Sequence, residues 1–141
     1  MYEYNCTITT HIDGDSVEVA IDLGFGVWLL EQSIRVHGLD TPESRTSDAE
    51  EKVFGLIAKD KAKVLLPIGS SQTLVSKAFK KGKFGRILGD FKFTETTYAE
   101  FMIENHYGVA YFGQSKDDVA TEHLKNRVTL LSKPKDDDGE I

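Results

Sequence analysis

Four carboxylates fall in two short clusters: Asp13 and Asp15 bracket Gly14, and Asp40 and Glu43 flank Thr41-Pro42. Hard cations such as calcium or magnesium take carboxylate and carbonyl oxygen, and a site shared by two loops, with water completing the shell, suits a catalytic cation. Each cluster also has a structural reading. Asp-Gly-Asp is a common turn, because aspartate hydrogen-bonds its own backbone and glycine accepts positive φ, and Thr-Pro-Glu commonly opens a helix. Taken together, the two clusters favour a cation.

Two arginines add the chemistry of anions. Arg35, in Ser33-Ile34-Arg35-Val36, is flanked by apolar positions at the end of an expected strand, so its side chain is expected to point into the fold and to need a negative partner there. Glu43 or Asp40 would serve as a structural partner, and a phosphate gripped by two hydrogen bonds would serve equally. Arg86 follows Lys80-Lys81-Gly82-Lys83-Phe84-Gly85, the most basic and glycine-rich stretch of the chain. That stretch reads either as a solvated hairpin turn whose lysines guard an edge or as a place for a phosphate chain.

The elements that must position these groups can be traced from periodicity. Residues 4–12 and 16–23 alternate as strands around the Asp13-Gly14 turn, with Val17, Val19 and Ile21 on one face, and residues 27–36 resume after Gly24-Phe25-Gly26 as the third strand of a meander. Residues 48–65 change to helical spacing, capped by Ser47 or Asp48, with Ala49, Val53, Leu56, Ile57, Ala62 and Leu65 expected inward and Pro67 and Gly69 ending the helix. Strands are expected over residues 73–79 and 86–93. A second helix is expected over 98–106, with Phe101, Met102 and Asn105 inward and Gly108 at its end. A third runs from Ser115 to Leu131, with Val119, Leu124, Val128 and Leu131 inward. Three strands, a helix, two strands and closing helices define an α+β chain: a five-stranded OB-type β-barrel with about three packed helices.

At 141 residues the chain fits one domain, residues 1–133, with residues 134–141 expected to form a disordered acidic tail. Hydrophobic residues at 40% and charged residues at 28% exclude neither a core nor solubility, and no apolar run is long enough to cross a bilayer, so no membrane partner is expected. Cys6 is the sole cysteine, in a position suited to a small core residue. A net charge of −6 argues against a protein that coats nucleic acid by bulk attraction, since each phosphate contact needs a local cation. The start of the chain is polar and alternating rather than signal-like, so an intracellular location is expected, in a cellular cytoplasm or of viral origin. The four histidines show no metal-ligand spacing and receive no role.

The segments Ile12-Asp13-Gly14-Asp15-Ser16-Val17, Ile34-Arg35-Val36-His37-Gly38-Leu39-Asp40-Thr41-Pro42-Glu43 and Lys83-Phe84-Gly85-Arg86 occur in the order, and with the intervening helix, of the staphylococcal nuclease family, which the chain resembles from about residue 7 to about residue 131. The resemblance implies a calcium-type nuclease acting on DNA, with RNA as a second substrate and magnesium or manganese as alternative ions; a monomer is expected. It implies hydrolysis at the 5′ P–O bond to leave 3′-phosphates. Asp15, Asp40 and the carbonyl of Thr41 would hold the metal, Arg35 and Arg86 would stabilise charge on the phosphate, and Glu43 would act as general base. Two flanking arginines are expected to favour the charged form of Glu43, making it a weak base. Lys83, Phe84 and Tyr111 would contact substrate. Phe84 stands where the family usually presents a tyrosine hydroxyl, a loss of about 1 kcal/mol, and Tyr111 matches an aromatic that stacks on a base. The alternative is a binding module on the same fold, which predicts gaps at Arg35, Glu43 or Arg86; none of the three is missing.

Overall fold

Val17, Val19 and Ile21 lie on one side of a strand and all three are buried, which fixes the inner face of a barrel. The computed structural model describes residues 2–79 and 85–132. Strands β1 (Glu3–Asp13), β2 (Ser16–Gly24) and β3 (Val27–Val36) form the expected meander, and β5 (Ser71–Phe79) and β6 (Ile87–Lys92) complete a closed barrel in the order β1-β2-β3-β6-β5. Closure leaves no free edge in this sheet. All pairings are antiparallel except β3 with β6, which run parallel through Ile34↔Ile87, Arg35↔Leu88 and Val36↔Gly89. The core joins Ile8, Val19, Ile34, Val36, Leu74 and Phe91 inside the barrel. Cys6 belongs to it, and burial pushes its thiol up to about 11.

A small second sheet escaped the sequence reading. Strand β4 (Leu39–Asp40) pairs antiparallel with β7 (Val109–Ala110), each only two residues long. Periodicity has no purchase on two residues.

Helix α1 (Ala49–Leu65) starts where expected: the Asp48 side chain accepts hydrogen bonds from the Glu50 and Glu51 amides. Its buried face differs from the expected one. Phe54, Gly55, Ala58 and Ala62 are buried, Ala58 and Ala62 in the core, whereas Val53, Leu56 and Ile57 are exposed and Leu65 packs only at the margin. Small side chains let the helix axis approach the barrel closely, and the larger aliphatic ones are left outside.

Helix α2 (Tyr98–Glu104) is capped by Thr97 and buries Tyr98, Ala99 and Met102. Met102 was expected there; Phe101 and Asn105 are only half-buried, and the left-handed residue at the end is His106, at φ 67°, ahead of Gly108. The Tyr98 hydroxyl donates to the Gly14 carbonyl, tying α2 to the first hairpin turn.

Helix α3 (Lys116–Leu131) begins at Ser115, whose hydroxyl accepts from the Asp118 amide, as expected. Its inward side is not the expected one. Leu124, Val128 and Leu131 are exposed and Val119 is half-buried, while His123, Asn126 and Arg127 turn towards the body. This helix docks mainly by polar contacts, with Leu130 packed against the core, rather than by the expected apolar stripe. No described helix is long and apolar enough to cross a membrane. The expected acidic tail lies outside the described residues, as does the Lys80-to-Phe84 stretch.

Candidate active site

The first hairpin closes at the pair Asp13↔Ser16, with Gly14 and Asp15 in the turn. Gly14 is not at positive φ, contrary to the ordinary reason for glycine in such a turn. It is required by space instead: an added Cβ would lie 2.9 Å from Thr41 Cγ2 and 3.0 Å from Ala58 Cβ. The turn is thus wedged between α1 and the loop after β4, which brings the two carboxylate clusters together.

Asp15 is buried and fixed from several sides. Its Oδ2 accepts the Thr41 amide at 3.0 Å, its Oδ1 accepts the Ser16 hydroxyl at 3.2 Å, and its own carbonyl accepts the Val36 amide at 2.9 Å. The register Ser16↔Arg35 sets the arginine beside it. Arg35 lies 3.5 Å from Asp15 and 3.6 Å from Asp40, and its Nη1 also donates to the carbonyls of Leu39 at 2.6 Å and Val36 at 3.2 Å. Its structural partners are therefore two aspartates and two carbonyls, not Glu43.

Glu43 sits at the rim, where its amide donates to Glu51 Oε2 on α1 at 3.1 Å. Next to it, the amide and hydroxyl of Ser44 both donate to Asp13 Oδ1. A cavity of about 440 Å³ is lined by Asp13, Asp15, Arg35, Asp40, Glu43 and Arg86, with Ile12, Ser16 and Ser33 filling the remaining wall. Five of the expected site side chains therefore open onto one space. Thr41 is buried behind it, with its hydroxyl oxygen unpartnered among the described residues. Tyr111 follows β7, and its amide donates to the Gly38 carbonyl, but its ring is exposed and does not line the cavity. Lys83 and Phe84 lie outside the described residues.

The balance of charge overturns one expectation. The Glu43 carboxyl is raised above its ordinary range, first by desolvation and then by Asp13, Asp15 and Asp40, so its proton affinity is increased rather than depressed by arginines. Arg35 lies against Asp15, Asp40 and the backbone rather than against Glu43. Asp15 is likewise raised, by burial first, despite the opposing pull of Arg35 and the Thr41 amide, and with Asp40 and Asp13 pushing the same way as burial.

The crowding of Asp13, Asp15, Asp40 and Glu43 around one cavity leaves negative charge that a divalent cation would offset. Among the described residues no group of three or more histidine, cysteine or acidic side chains is gathered so as to hold a metal ion by itself. The set on offer is two carboxylates, Asp15 and Asp40, with the Thr41 carbonyl beside them. That set fits a hard cation which keeps several waters, and it does not fit zinc.

The raised Asp15 carries a stability consequence. Its folded-state carboxyl holds the proton to a higher pH than the unfolded chain does, so the ionised group costs stability above that raised value, and the cost fades as pH falls towards 3.8. In the absence of divalent ions, Asp15→Asn is expected to melt above the parent at neutral pH. The difference should close on acidification. A variant that melts below the parent at neutral pH would show that the Arg35 contact outweighs burial.

Sequence reasoning missed His123. Its Nε2 lies 2.7 Å from Asp40 Oδ2, across 83 residues of chain, and a lone histidine on a helix gives no local sign of such a contact.

No curated protein matches the chain. A family model does, that of the staphylococcal nuclease homologues, over residues 33–139, a span that holds Arg35, Asp40, Thr41, Glu43 and Arg86 and leaves Asp15 outside it. With its barrel, helices and more than half of its length accounted for, the chain belongs to the staphylococcal nuclease homologue family.

Proposed function

We propose that the protein is a calcium-type nuclease that hydrolyses phosphodiester bonds of DNA, and of RNA as a second substrate. The observation that carries this reading is the single cavity onto which a carboxyl of raised proton affinity, Glu43, opens together with two guanidinium groups, Arg35 and Arg86. An in-line attack on a phosphodiester needs a group to orient or deprotonate water and cations to offset charge on the phosphoryl oxygens.

Glu43 orients the water and takes its proton as the new O–P bond forms. Arg35 and Arg86 hold the non-bridging oxygens, and their fixed positive charge favours the more negative transition state over the ground state. The 5′ P–O bond breaks, the departing 5′ oxygen takes a proton from solvent, and a 3′-phosphate remains. Asp15, Asp40 and the Thr41 carbonyl would hold calcium, which supplies further charge stabilisation and a place for water. Magnesium or manganese fits the same donors.

The purified protein is expected to cut single-stranded DNA in calcium, to release fragments ending in 3′-phosphate, and to stop when the ion is chelated. Cleavage that persists without divalent ions would sink the metal assignment. No cleavage with calcium, magnesium or manganese would favour the binding-module reading instead.

A further inference from the structure

Asp40 is held from two directions: Oδ1 lies 3.6 Å from Arg35, and Oδ2 lies 2.7 Å from His123 Nε2. His123 is largely covered, with 12% of its side chain exposed, against 30% for Asp40. The helix that carries it has no buried residue, and its half-buried positions are Val119, His123, Asn126, Arg127, Thr129 and Leu130. Its polar anchors are specific. Asn126 donates to the Gly108 carbonyl at 3.1 Å, Arg127 donates to Glu50 at 2.6 Å and stacks over Phe54, and His123 alone of these reaches the carboxylate cluster.

The other oxygen contacts of Asp40 do not do this work. Arg35 divides its donors among two carboxylates and two carbonyls, at distances on the carboxylate side too long for a tight hydrogen bond. An aspartate on a two-residue strand, with a third of its side chain exposed, would otherwise be free to rotate about its terminal bond. A hydrogen bond to one carboxylate oxygen removes that freedom and keeps the other beside Arg35 in the wall of the cavity. Groups that orient a ligand in this way are worth about 10–100-fold in metal affinity.

We infer that His123 is a positioning residue for Asp40, so that α3 supplies a support for the cation site although it contributes no ligand to it. The inference rests on the proposed cation site. Calcium affinity of the full chain, measured by titration calorimetry, separates the two. The parent is expected to bind calcium. His123→Ala is expected to bind it about 10–100-fold more weakly, and His123→Gln, which can still offer a donor to Asp40, is expected to recover much of the loss. Asn126→Ala loosens the same helix without touching Asp40 and is expected to keep calcium affinity within about twofold of the parent, an effect below the usual worth of one hydrogen bond. Melting curves without calcium show how far each variant loosens α3. Equal affinity in the parent and His123→Ala overturns the positioning role and leaves the function intact. Equal losses in His123→Ala and Asn126→Ala overturn it as well, because helix docking alone would then explain the effect. A parent that binds no calcium overturns both this inference and the cation site beneath it.

Discussion

Glu43→Gln is expected to lower kcat by about a hundredfold to ten-thousandfold with little change in KM, the range for removal of one acid–base group. Glutamine keeps the shape and can still hydrogen-bond to a water, but it cannot take a proton. The raised carboxyl gives the experiment a second axis. As a base Glu43 works when ionised, so kcat rises with pH through its folded-state value. Burial and the neighbours Asp13, Asp15 and Asp40 set that value above the ordinary 4.5. Calcium on Asp15 and Asp40 would offset two of those charges in the working enzyme, so the test is the limb itself: an acidic limb in the kcat profile of the parent that vanishes in the variant. If Glu43→Gln turns over at close to the parental rate, water positioning suffices and proton transfer to this residue is not part of the reaction.

The second large effect comes from a residue outside the cavity. Gly55 lies on α1, and a Cβ added there would stand 2.2 Å from the Glu43 carbonyl oxygen, 2.4 Å from its carbon and 2.6 Å from the Ser44 nitrogen. These are backbone atoms, so no side-chain rotation relieves the clash. Helix propensity alone predicts that Gly55→Ala stabilises the protein by about 1 kcal/mol. The contact predicts the reverse, with an overpacking cost of about 1–3 kcal/mol and a shift of the Glu43 loop. A displacement near 1 Å at a catalytic group costs about a hundredfold in rate. Calcium affinity should change less, because Asp15 lies on the first hairpin and Asp40, although beside the same loop, is held by its pairing with Val109 and by His123. A Gly55→Ala protein that melts higher and cuts at the parental rate would show that α1 does not set the Glu43 loop.

Much of the barrel was legible because its signals are local. Alternating β-branched residues in β2, and turn residues around Gly14 and Gly24, specify a hairpin ladder whose strand bounds moved by no more than about two residues. The clustering of Asp15, Arg35, Asp40, Glu43 and Arg86 was legible only through the family resemblance, since nothing in their spacing brings positions 15, 35 and 86 together. The helix faces were misread for a physical reason. Hydrophobic periodicity weights large side chains, so Val53, Leu56 and Ile57 drew α1 the wrong way, whereas the structure buries the side where Gly55, Ala58 and Ala62 permit close approach. On α3 the half-buried side is mostly polar, and hydrophobic periodicity cannot detect it. The charge state of Glu43 was misjudged because residue types alone do not reveal that Arg35 is already occupied by Asp15, Asp40 and two carbonyls.

The parallel contact between β3 and β6 bears on when during synthesis the site can exist. Asp15, Arg35, Asp40 and Glu43 emerge early, but Arg86 is brought to the cavity only once α1 and β5 have been made and β6 has paired with β3. Such a pairing closes a loop of about fifty residues, a slow and non-local step. A ribosome-bound chain ending before β6 would therefore carry the carboxylate cluster without Arg86, and the cavity would stay incomplete until β6 has been made.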